Sequence, residues 1–140
     1  MDWHPLIVHF PIVLIPLGVV VDVFALVKGR GEWHVFAYSL TVAGTFLALV
    51  SVLTGNMAVE SYRAQQDLLA PIESHEDVAT LALLLMLAVV LGRMPLQLQR
   101  RFEGWALKAW VGAAVVGSGL VWLAGLYGGE LVFEYGVGLR

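Results

Sequence analysis

Four long apolar stretches, at about residues 5–27, 35–54, 75–92 and 107–127, decide what this chain can fold into. A helix crossing a hydrocarbon core of about 30 Å needs about 20 mostly apolar residues. The second stretch carries no charge, and the fourth none beyond Lys108. The third is the shortest, and reaches spanning length when its helix opens near Ser74. Lipid offers no partner to backbone N–H and C=O groups, so single apolar segments cross it as helices. Only 14% of the residues are charged, 59% are hydrophobic, and mean hydropathy is +0.82. Soluble domains carry about a quarter charged residues, so the bilayer is the first partner to expect. The predicted fold is all-α: one integral membrane four-helix bundle over residues 1–140.

The loops then orient the bundle. Lys28, Arg30, Arg93, Arg100, Arg101 and Lys108, six of the eight basic residues, fall beside the first-to-second and third-to-fourth connections. By the positive-inside rule that side is cytoplasmic. The N-terminus, the connection over residues 54–73 and the C-terminus then share the outer, periplasmic side. Their charges are mostly acidic: Asp2, Glu60, Asp67, Glu73, Glu76, Asp77, Glu130 and Glu134, against Arg63 and Arg140. No basic residue precedes Lys28, so the first segment lacks the positive n-region of a cleavable signal and reads as a retained helix. The bacterial inner membrane is the expected location.

Composition also excludes chemistry. No cysteine is present, which removes disulfides, thiolate metal sites, cysteine-held iron–sulfur clusters and covalent c-type haem. A net charge of −3 argues against a nucleic-acid partner. There is no G-x-S-x-G, no phosphate loop and no HExxH, since Ala79 stands where the second zincin histidine would be. An enzyme of soluble type is not expected.

What remains is histidine. The run His4-Pro5-Leu6-Ile7-Val8-His9-Phe10-Pro11 opens the first span, and an ionisable side chain at membrane depth usually faces a protein interior, a cofactor or water. Pro5 suits the first turn of a helix, which sets His4 at the headgroups and His9 about 7 Å deeper. Ser74-His75-Glu76-Asp77 after Pro71 reads as a capping box that opens the third helix. Charge bias puts His4, His9 and His75 on the outer side, where side chains from facing helices can build a site. His9 and His75 are the predicted cofactor ligands, and His4, His9, His75 and Glu76 the alternative donors for a divalent metal. The plainer readings are that His4 sits in an aromatic belt beside Trp3, that His75 and Glu76 are first-turn polar residues, and that His9 bonds a neighbouring helix. His34, beside Glu32 and Trp33 on the cytoplasmic side, reads as solvated. Asp22, the other ionisable group inside a span, reads as structural, either within reach of Lys28 or neutral and hydrogen-bonded, with a proton relay as the sharper alternative.

Other residues shape the bundle. Pro11 and Pro16 free carbonyls in the first helix. Ala109, Ala113 and Gly117, with Gly112, Gly119 and Gly125, give the fourth helix small faces for close packing. Residues 128–140 begin with Gly128-Gly129, cannot span, and are expected to fold over the outer mouth, bringing Glu134 and Tyr135 near the histidines.

The opening HPLIVHFPI, Gly55 near the end of the second helix, His75 and the closing GGELVFEYGVG resemble the bacterial membrane family catalogued as domain of unknown function 2231. The resemblance covers essentially the whole chain. It implies a small four-helix membrane domain that in some members adjoins Rieske-type or cytochrome c-type modules, and so redox work at the outer face. Its tail usually reads LVY-x-HGVG, with a histidine where this chain has Tyr135. Two functions follow from different classes. One is electron transfer through haem b, or a divalent metal, held by His9 and His75, with a redox protein as partner. The other is a cofactor-free subunit of a larger respiratory or transport complex, or a homo-oligomer, with structural histidines. A proton or metal-ion path through His4, His9, His75, Glu76 and Asp22 stands third, because the middle of the spans is nearly devoid of polar groups.

Overall fold

A computed structural model describes residues 4–62, 64–99 and 102–138. The expectations placed on Asp2, Trp3, Arg63, Arg100, Arg101 and Arg140 lie outside the described residues. Four helices are long and apolar enough to cross a membrane: α1 (His4–Lys28), α2 (Trp33–Val59), α3 (Gln66–Leu98) and α4 (Gly104–Phe133). The chain is all-helical, as its apolar stretches predict.

Local chemistry sets the helix ends. In α1, Pro11 has no N–H to offer the Ile7 carbonyl, and the helix is interrupted at Val8, the next residue. It ends at Gly29, whose φ of 64° lets the Arg30 N–H reach back to the Ala25 carbonyl at 2.9 Å. A single 3₁₀ turn, Glu60–Tyr62, follows α2.

The helices run past the expected bounds: α2 continues to Val59, α3 to Leu98, and α4 begins at Gly104, and two further boundaries differ most. α3 opens at Gln66, not near Ser74, and runs through Pro71. The predicted capping box is therefore mid-helix, where the Ser74 hydroxyl donates to the Ala70 carbonyl at 2.9 Å. α4 likewise continues through Gly128-Gly129 to Phe133, so the tail does not begin at residue 128. One packing cluster explains both extensions. Leu68 and Ile72 of α3 bury against Leu131 of α4, with Val59, Tyr62 and Val137 around them. Burying such side chains is worth about 1.5–3 kcal/mol each, enough to outweigh one proline-broken bond and two helical glycines. The chain turns only afterwards, at Gly136 (φ 68°), where the Val137 N–H meets the Leu131 carbonyl. The Gly138 N–H then donates to the Tyr62 hydroxyl at 3.0 Å.

α1 packs on α2 and α4, and α3 packs on α2 and α4, so α1 and α3 face each other across the diagonal. Small residues set the closest approaches. A side chain at Gly18 would come within 2.7 Å of Thr41 Oγ1, and one at Gly44 within 2.7 Å of Ile15. On α4, Gly117 meets Met86 and Gly125 meets Ile12, whereas Gly112 and Gly119 face no described atom within 4 Å. Ile15, Ala82, Met86 and Val121 form the mid-bundle core, and Val19, Val89 and Ala114 extend it. Val13, Val20, Phe46, Leu84, Val116 and Trp122 point outward. Water would penalise that surface; lipid suits it.

Candidate functional site: a histidine-lined cavity

A cavity of about 450 Å³ lies at the end of the bundle where α1 begins and α4 ends. Its wall is mainly apolar, drawn from Ile12, Ala79, Ala82, Leu83, Met86 and Val121. His4, His9, His75 and Glu76 also border it, so one cavity gathers all four predicted donors. They differ in what their rings do.

His4 reaches across to α2, where Nδ1 lies 3.1 Å from Thr54 Oγ1. That hydroxyl has one proton and spends it on the carbonyls of Val50 and Ser51, each at 3.0 Å. It therefore accepts from His4, which assigns the His4 proton to Nδ1. The half-buried His75 points from α3 to α4, and its Nδ1–H donates to the Ala124 carbonyl at 3.0 Å. A carbonyl can only accept, so Nδ1 carries the proton and, in the neutral ring, Nε2 keeps its lone pair. Each imidazole also lies over a glycine. A Cβ at Gly55 would sit 2.9 Å from His4 Cε1, and one at Gly128 would sit 3.2 Å from His75 Cε1.

His9 behaves otherwise. Its Nδ1–H donates to the Pro5 carbonyl of its own helix at 2.6 Å, and the residue is exposed. Glu76 is half-buried and also lines a neighbouring groove with Asn56, Asp77 and Thr80. Tyr135 is 41% exposed and does not line the cavity, although Phe133 and Val137 do. Among the described residues no three His, Cys, Asp or Glu side chains converge as a metal-holding group. What the cavity does offer is a pair of imidazoles on an apolar wall, each able to present a ring nitrogen.

The opposite end of the bundle holds a cluster that the sequence reading misplaced. His34 is not solvated: it is 4% exposed, and its Nδ1–H donates to Asp22 Oδ1 at 2.8 Å. Arg93 is not a loop base: it is fully buried in α3 and grips both Asp22 oxygens, through Nη1 to Oδ2 and Nη2 to Oδ1. Asp22 is also fully buried, and its partner is Arg93 rather than Lys28, which is exposed. The guanidinium carbon lies 4.2 Å from the Phe102 ring centroid and 5.2 Å from that of Tyr38, within cation–π range. Tyr38 itself donates to the Val90 carbonyl, and the Gln97 amide reaches the His34 carbonyl. Arg93 Nε is buried with no hydrogen-bond partner among the described residues. The signal that would have found the pair was depth. Asp22 lies six residues before the end of α1 and Arg93 five before the end of α3, at the same end of the bundle.

No curated protein and no solved structure matches the chain. A family model described as "Predicted membrane protein (DUF2231)" matches residues 2–140, and on that near-complete match the chain belongs to this family of membrane proteins.

Proposed function

We propose that this membrane protein binds haem b in the cavity between α1 and α3 and passes electrons at that face of the bilayer. In this reading His4 and His75 would hold the haem, which would supply the one-electron redox chemistry. One observation carries it: two imidazoles from diagonal helices border one apolar cavity, each with Nδ1 held by an oxygen and its ring seated over a glycine. Anchoring one ring nitrogen fixes tautomer and orientation, as the outer partners of metal-bound histidines do. His9 gives way to His4 as the ligand because its Nδ1 is tied within its own helix and its side chain is exposed. The resemblance to a bacterial family with redox neighbours supports the same reading and a place in the bacterial inner membrane. Without Arg93, the bases at the far end of the bundle among the described residues are Lys28, Arg30 and Lys108. They keep that end cytoplasmic and the cavity periplasmic.

The test is an absorption spectrum, oxidised and reduced, of detergent-purified protein titrated with haem. A Soret band that shifts on reduction and is lost in both His4→Ala and His75→Ala is the expected result. Loss of the band in His9→Ala but not His4→Ala moves the ligand pair to His9 and His75. A chain that binds no haem, yet purifies with a stoichiometric membrane partner, belongs to the cofactor-free subunit class instead.

A further inference from the structure

The geometry points to Asp22, Arg93 and His34 as an ionic lock that makes membrane assembly of α3 conditional on α1. Asp22 and Arg93 sit on diagonal helices whose backbones do not pack on each other, so their contact crosses the middle of the bundle. Both side chains are 0% exposed, and no solvent shares the charge of either. A lone charge in a span is costly, and burial without a partner makes it more so. A carboxylic acid has a neutral form that lipid tolerates. Arginine has no such escape, because its guanidinium stays charged. Arg93 is therefore the group whose place in the membrane depends on a partner. Asp22 supplies the countercharge, Phe102 and Tyr38 supply faces for the guanidinium, and His34 satisfies Asp22 Oδ1 from α2. Three helices meet on one carboxylate. His34 and Tyr38 of α2 flank the pair, one on the carboxylate and one on the guanidinium, so the completed lock includes residues of α1, α2 and α3.

The experiment compares Asp22→Asn, Arg93→Met and the double variant in the full chain, scored as folded, detergent-stable protein per cell. Asn keeps an acceptor for His34, and Met keeps Arg93's aliphatic bulk between the rings. Asp22→Asn strands a fixed charge and is expected to lower the yield about tenfold or more. Arg93→Met leaves a carboxyl that can be neutralised by a proton, and is expected to lose less. The double variant removes both charges and is expected to return to within about twofold of the parent. A double variant that multiplies the two single losses overturns the lock and makes both residues ordinary packing groups. An Asp22→Asn protein that accumulates like the parent overturns it as well.

Discussion

The space between α1 and α3 is treated in opposite ways at the two ends of the bundle. At the lock end the gap is filled: carboxylate, guanidinium and two aromatic faces leave both charged side chains fully buried. At the cavity end the gap is kept open. His4 and His75 are turned aside to Thr54 and Ala124, and glycines give their rings room. The same pair of helices is thus fastened where polar atoms satisfy one another and hollow where they satisfy a different neighbour. Stability and ligand binding should therefore separate along the bundle axis, and substitutions at the two ends should fail in different assays.

The largest effect is expected at the lock. Asp22→Asn leaves the Arg93 guanidinium fully buried without its countercharge. Removing one member of a buried pair costs about 3–5 kcal/mol. Denaturation of the purified protein in detergent should show a loss of that size, with the haem affinity of the surviving folded fraction changed far less. A fall in haem affinity that tracks the fall in stability would show the two ends to be one cooperative unit.

A smaller loss, of a different kind, is expected from Gly128→Val. The new side chain would meet His75 Cε1 at about 3.2 Å and push the ring away from the Ala124 carbonyl. Overpacking of this sort costs about 1–3 kcal/mol, and a displaced ligand should cost haem binding at least tenfold. Gly112→Val is the control, since no described atom lies within 4 Å of a Cβ there. Equal haem binding by the two variants would detach His75 from the cavity's role.

How far the sequence reveals these two ends follows from how each is built. Helix identity was legible because apolar runs of spanning length have few other fates, and the opening histidine run marked the cavity because His4 and His75 lie near the ends of their apolar runs. The lengths of α3 and α4 were not legible. Pro71 and Gly128-Gly129 look like breaks, and what overrides them is the tertiary burial of Leu68, Ile72 and Leu131. Arg93 reads as a loop base in the sequence for the same reason: the apolar run ends at Leu91, while the helix continues to Leu98. With Arg93 outside the membrane, Asp22 lost its partner and His34 its acceptor, so three residues were misread through one misplaced boundary. Pairing opposite charges at equal depth, before assigning bases to loops, would have recovered all three.

The smallest effect is expected from His9, the histidine inside the first apolar run. His9 sits inside an apolar run, which made it the natural ligand, but its Nδ1–H is bonded to the Pro5 carbonyl one turn back. That bond is local and exposed, so it forms in the isolated helix and contributes little to joining helices. His9→Ala should change stability by less than about 0.5 kcal/mol, as exposed substitutions do, and leave the haem spectrum in place. His4→Ala, five residues earlier, should abolish the spectrum because it empties the place over Gly55. If His9→Ala instead removes the band, its ring must turn inward when ligand is present, giving up the Pro5 bond, and the cavity end would be remodelled by its occupant while the lock end stays fixed. Comparing the denaturation curves of His9→Ala with and without haem decides between a preformed pair and a recruited one.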